Sequence, residues 1–142
     1  MIIFLYGQDS YSLIQYVNQL VDRYRKKYPD SFNLHRFDLE EDDPDKIRSV
    51  IKGVSFFNEI KFVIIKNPTA KSAAMVKILK ENNIAGQKDT VLLLYQSGSA
   101  EDIKKKDEKI FEYLKKEAQA KEFKPPTNQA VSKFASTHLA KY

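Results

Sequence analysis

Ile2-Ile3-Phe4-Leu5-Tyr6-Gly7-Gln8-Asp9-Ser10 begins with five apolar residues and passes through a glycine to two side chains that cap helices well. An apolar run with no polar alternation suits a strand buried on both faces, as in a parallel sheet. Asp9 or Ser10 supplies the N-cap. Leu13, Tyr16, Val17, Leu20, Val21 and Tyr24 then recur at helical spacing. Arg23, Arg25, Lys26 and Lys27 complement the carboxyl end of that helix's dipole. A strand, a glycine and a capped amphipathic helix in this order predict an α/β fold.

The remaining chain repeats the alternation. Pro29-Asp30 ends the helix, and Phe32, Leu34 and Arg36 alternate with Asn33, His35 and Phe37 as in a strand with one less apolar face. The acidic run Glu40-Glu41-Asp42-Asp43 leads into Pro44. Asp43 as N-cap and Pro44 at the first helical position start a helix to about Lys52, with Ile47, Val50 and Ile51 inward and Gly53 as its stop. Phe62-Val63-Ile64-Ile65 is a second buried strand, halted by Asn67-Pro68. Thr69 reads as the cap of a helix carrying Ala73, Val76, Ile78 and Leu79 as far as Asn82-Asn83. Thr90 to Tyr95 is the most apolar strand. After Ser97-Gly98-Ser99, one helix carries Ile103, Ile110, Phe111 and Leu114, and Lys121-Glu122-Phe123 reads as a short edge strand. Pro125-Pro126 is a breaker, beyond which Thr127 or Asn128 caps a last helix with Val131, Phe134, Ala135 and Leu139. The pattern predicts three layers, a mostly parallel sheet with helices on both faces. It also predicts a boundary that separates residues 1–124 from a linker and helix at 125–142.

The totals bound the chemistry. A chain of 142 residues, 42% hydrophobic and 30% charged, has the composition of a globular domain. No apolar run approaches the roughly 18 residues of a membrane span, and the start lacks the basic region of a signal peptide. With no cysteine, disulfides and thiolate metal sites are excluded. A cytoplasmic location without a membrane partner is the expectation. The net charge of +5 is uneven: residues 1–60 carry eight basic and ten acidic side chains, residues 61–142 sixteen and nine. A basic half can attract nucleic acid. It can equally be the solvated faces of lysine-rich helices, the reading favoured here.

Gly7 is where a phosphate-binding loop would follow the first strand. That motif needs a second glycine and a lysine, so that backbone amides cradle phosphate and the lysine neutralises it. Gly7-Gln8-Asp9-Ser10-Tyr11-Ser12-Leu13-Ile14 has neither, and places Asp9 where the anion would sit. Lys66-Asn67 follows the second buried strand in place of acids that would hold magnesium. ATP hydrolysis is therefore disfavoured and no cofactor is expected. The acids at 40–43 lack the spacing and glycine of a calcium loop. His35 and His138 show no sign of a triad. Lys104-Lys105-Lys106 and Lys115-Lys116 lack the interleaved aromatics of a stacking platform.

Val54-Ser55-Phe56-Phe57-Asn58 is the remaining candidate site. Adjacent residues on a helix or strand point in clearly different directions, so both rings cannot face one core. One reading packs one ring beneath the loop while the other staples the helix to the strand. The other makes the pair a plug for a partner's pocket, where a fully buried aromatic anchor is worth about 2 kcal/mol or more.

Taken in order, several segments resemble the delta subunit of the bacterial DNA polymerase III clamp loader. They are Phe4-Leu5-Tyr6-Gly7-Gln8-Asp9, Phe32-Asn33-Leu34-His35-Arg36-Phe37-Asp38, and Ser55-Phe56-Phe57-Asn58 before Lys61-Phe62-Val63-Ile64-Ile65-Lys66-Asn67. Asp89-Thr90-Val91-Leu92-Leu93-Leu94 and Phe123-Lys124-Pro125 complete the set. The resemblance spans essentially all 142 residues but only the family's first domain and the first helix of its second, or lid, domain. It implies an AAA+-like fold with a degenerate phosphate loop at Gly7, non-catalytic in itself although part of the polymerase III holoenzyme. It implies binding of the sliding clamp (beta subunit) and opening of its ring during replication. The clamp-inserting element falls on Phe56 and Phe57, with Ser55 preceding and Val54 and Asn58 flanking; Phe56 stands where the family often has leucine. Gamma/tau and delta prime are implied as partners of the full-length protein, and primed DNA as an indirect one. Two rival readings are an active nucleotide-binding domain and a nucleic-acid-binding α/β domain.

Overall fold

A computed structural model describes residues 1–30, 32–53 and 59–125. Five strands form one sheet: β1 (Ile2–Gly7), β2 (Leu34–Asp38), β3 (Lys61–Lys66), β4 (Thr90–Ser97) and β5 (Gln119–Glu122). The helices are α1 (Ser10–Lys27), α2 (Pro44–Lys52), α3 (Ser72–Glu81), α4 (Ala100–Lys106) and α5 (Glu108–Glu117). The strand order is β2-β3-β4-β1-β5, and every pairing between strands is parallel.

The side-chain period of two divides the core between the faces of the sheet. Phe4 and Tyr6 of β1, Val63 and Ile65 of β3, and Leu92 and Leu94 of β4 meet residues of α2, α3, α4 and α5. Leu5, Ile64 and Leu93 point the other way, against Leu13, Val17 and Val21 of α1. Right-handed crossovers account for this uneven division. The chain runs from central β1 to the far edge at β2, and α1 covers one face on the way. Every later connection crosses the sheet in the opposite sense, so its helices pack on the other face. Burying such a Leu or Ile side chain contributes about 2 kcal/mol relative to leaving it in water.

Most expected elements are present, and the departures have local causes. Asp9 and Asp43 are N-caps, and Pro44 opens α2. Thr69 is not a helix cap. Pro68–Lys71 is a 3₁₀ turn, and the Thr69 hydroxyl and amide both donate to Gln96 Oε1, at 2.8 and 3.1 Å. In α3 the fully buried side chains include Met75, while Ala73 and Val76 are not buried. The single helix expected after Gly98 is two, because Asp107 ends α4 and caps α5. β2 begins at Leu34, leaving Phe32 70% exposed and Asn33 buried. The short edge strand runs over Gln119–Glu122, slightly earlier than expected, beside β1. The helix expected after Pro126 lies outside the described residues. Among those described, no helix is long and apolar enough to cross a membrane.

Candidate partner-binding segment and the turn at Gly7

Val54, Ser55, Phe56, Phe57 and Asn58 lie outside the described residues, but the residues that enter and leave this stretch, its two stems, are described. α2 is amphipathic, with Ile47 and Ile51 buried against the sheet, and it stops at Gly53. The chain re-enters at Glu59 and Ile60 and becomes β3 at Lys61. Lys61 shares its face of β3 with Val63 and Ile65, so its side chain runs beneath α2. The Lys61 ammonium donates to the carbonyls of Val50 at 2.6 Å, Ile51 at 3.3 Å and Gly53 at 2.5 Å. These carbonyls lie at the carboxyl end of α2, where acceptors lack intrahelical partners, and the Val50 carbonyl also accepts from the Gly53 amide at 3.2 Å. A cation there also opposes the negative end of the helix dipole. The residue is only 3% exposed; burial holds its pKa below the usual lysine value, and the Asp89 carboxylate partly opposes that shift.

Four further contacts hold the exit stem. The Tyr24 hydroxyl of α1 donates to the Ile60 carbonyl, and Asn33 Nδ2 approaches Glu59 Oε2 at 3.4 Å. The Lys61 amide donates to Asp89 O at 2.9 Å, and the Phe62 amide to Asn33 O at 2.8 Å. The sequence reading did not find Lys61. The signal was available: a lysine on the inward parity of an otherwise apolar strand, close after a helix stop.

The carboxyl edge of the sheet holds the second candidate. Gly7 has φ +144°, and its backbone passes close under Phe123. The Asp9 amide donates to Phe123 O at 3.0 Å, and the Phe123 amide donates to Tyr6 O at 2.7 Å. An amide that could face a phosphate is thus committed to the chain leaving β5. The Asp9 carboxylate accepts from the Ser12 hydroxyl and amide, which lower its pKa, so it stays anionic at the helix start. The adjoining cleft, about 490 Å³, is lined by Gln8, Ser99, Glu101, Glu122 and Lys124 among others. Two glutamates against one lysine disfavour a polyphosphate there. At the end of β3, Asn67 Nδ2 donates to Asp38 Oδ1 at 3.1 Å, and Lys66 is exposed. Among the described residues, no cluster of three or more His, Asp or Glu is placed to hold a metal ion.

The basic residues are partly occupied with packing. Lys104 lies over the Phe111 ring, Lys115 over Tyr6, and Lys121 over Tyr16 and Phe123. In each case the ammonium itself lies over the ring face, a cation–π contact between a side chain and a buried or half-buried aromatic. The stretches Lys104-Lys105-Lys106 and Lys115-Lys116 therefore stay on helix surfaces, without the free aromatic faces that stack nucleobases.

A family model described as DNA polymerase III, delta subunit, matches residues 4–124. The DNA polymerase III subunit delta of Bacillus subtilis is 32% identical over 81 residues, covering 57% of this chain and 23% of that protein. A solved structure of the Bacillus subtilis DNA clamp loader delta protein superimposes with a TM-score of 0.68 at 26% identity. It covers 94% of this chain and 41% of that one. The chain thus spans less than half the length of either relative. Its sheet and helices are those expected of an AAA+-like domain, and with a match across residues 4–124 the chain belongs to the DNA polymerase III delta subunit family.

Proposed function

We propose that the chain is the clamp-binding module of a clamp-loader delta subunit. In this reading residues 1–124 form the AAA+-like domain, and 125–142 lead into a lid domain. Phe56 and Phe57, assisted by Val54, Ser55 and Asn58, enter an apolar pocket on the sliding clamp and help to spring one ring interface open for loading on primed DNA. The module hydrolyses no ATP, works in the cytoplasm, and joins gamma/tau and delta prime through parts of a longer protein. Family membership across residues 4–124 is the observation that carries the reading. The closed backbone at Gly7 supports a binding role over an ATPase one, because the Asp9 amide is already bonded to Phe123. The hydrogen bonds that hold Gly53, Ile60 and Lys61 suit a segment that presents its side chains to a partner.

Calorimetric titration with the cognate sliding clamp tests it. The wild type is expected to bind. Phe56→Ala combined with Phe57→Ala is expected to weaken binding at least a hundredfold, since each aromatic anchor is worth about 2 kcal/mol or more. Equal affinity of wild type and double variant would remove the assignment of the loop.

A further inference from the structure

Lys61 is the most deeply buried lysine among the described residues, and nothing in the proposed binding step uses it directly. Its ammonium bonds three carbonyls contributed by Val50, Ile51 and Gly53, the last residues before the partner-binding loop. Its own backbone is the first residue of β3 after that loop, held to Asp89 through the amide. One residue therefore joins the entry stem to the exit stem. Capping the helix alone would not need a residue from the far side of the loop; Asn82 caps α3 from within its own chain segment, with Nδ2 donating to Ile78 O at 2.8 Å.

We propose that Lys61 is a positioning residue for partner binding, fixing the separation and direction of the two stems so that the loop is presented ready to dock. The inference rests on the function proposed above. Its physical basis is preorganisation: a loop whose ends are fixed before binding loses less conformational freedom on docking. Four bonds act together on the stems: the three from the ammonium and the Tyr24 hydroxyl to Ile60 O. Burial makes them stronger, because water competes poorly for a desolvated ammonium.

The test compares Lys61→Met, Lys61→Arg and Asn82→Ala in the 142-residue chain. Lys61→Met keeps the length of the stem and removes the cation; Lys61→Arg keeps the cation and its donors. Asn82→Ala removes a cap of similar kind at the end of α3, which meets α2 through the Glu81–Arg48 ion pair, a contact that involves none of Val50, Ile51 and Gly53. Clamp affinity is measured by titration, thermal stability by circular dichroism, and stem order by hydrogen exchange at the Gly53, Glu59 and Ile60 amides. Lys61→Met is expected to lower clamp affinity about tenfold and to speed exchange at the stems. Lys61→Arg should recover part of both, and Asn82→Ala should lower the melting temperature without changing affinity. In the Phe56→Ala, Phe57→Ala background the Lys61→Met effect on affinity should vanish. If Lys61→Met binds as the wild type does, or loses no more affinity than Asn82→Ala, the positioning role is overturned while clamp binding stands. Should Lys61→Met not fold, a folded Lys61→Arg whose stem amides exchange faster while its clamp affinity equals that of the wild type also overturns it. Failure of the wild type to bind the clamp removes the parent reading, and this inference with it.

Discussion

At Gly7 the φ of +144° lies where residues with a side chain rarely go, and a Cβ there would sit 2.1 Å from Phe123 O and 2.5 Å from Phe123 N. Both obstacles are backbone, and backbone held by paired hydrogen bonds cannot yield as a flexible side chain can. Gly7→Ala therefore combines conformational strain with a clash. It is expected to destabilise the fold by about 3 kcal/mol or more, from a strained backbone worth about 1–3 kcal/mol and the displacement of Phe123. Urea unfolding checks this, and a midpoint within experimental error of the wild type would contradict the geometry. The sequence placed a glycine at a strand end and led to the right question about phosphate. It could not show that Phe123, more than a hundred residues away in the chain, supplies the answer. Lys61 escaped notice for a related reason: a long lysine stem can reach carbonyls that only the folded chain brings beneath α2, and spacing alone does not show where its ammonium ends.

Elements were most legible where one local signal decided them. β1, β3 and β4 are short apolar runs between breakers, and their burial on both faces follows directly from that pattern. α1 and α2 carry their caps beside them in Asp9 and Asp43. The stretch 100–117 misled because Ile103, Ile110, Phe111 and Leu114 keep nearly helical spacing through the break. Asp107 decides the matter: its carboxylate accepts from the Lys109 and Ile110 amides at 2.9 and 3.3 Å and from the Ser72 hydroxyl of α3. These bonds, the Ser72 one foremost, hold its pKa below the usual aspartate value. Asp107→Ala removes an N-cap worth about 1 kcal/mol and a bond across to α3 of similar size, so a loss near 2 kcal/mol is expected at pH 7. The sign with pH follows from the lowered pKa. The stabilisation is present above the unfolded aspartate value of 3.8 and is lost as pH falls through the lower folded value. The gap between wild type and Asp107→Ala should thus narrow only in strongly acidic buffer. Paired urea titrations across pH check it, and a constant gap down to that range would show that the carboxylate is not the stabilising group. Thr69 misled in the same way, since its hydroxyl serves Gln96 across 27 residues instead of a helix end.

Across the whole molecule, charge and apolar anchoring point to different partners, and salt separates them. Residues 61–142 carry sixteen basic and nine acidic side chains, so any attraction to DNA would be electrostatic and salt-dependent. Each phosphate neutralised on a duplex contributes a slope of about −0.9 in log affinity against log salt. Even two such contacts reduce affinity about tenfold when salt rises from about 50 to 200 mM. Burial of aromatic rings in an apolar pocket releases few ions, so clamp affinity should change less than about threefold over the same range. The two modes also differ in where they reside on the chain. Clamp binding should be lost in the Phe56→Ala, Phe57→Ala variant, while any affinity for a primed duplex should be indifferent to it. Fluorescence anisotropy on the duplex and titration of the clamp, each at both salt concentrations and with both proteins, give eight measurements that decide between the modes. The expected pattern is salt-tolerant clamp binding that needs the two phenylalanines, beside weak, salt-sensitive DNA binding that does not. Clamp affinity that collapses with salt and survives the double substitution would move the interface from the loop to the basic helices, since neither Phe56 nor Phe57 would then be the anchor.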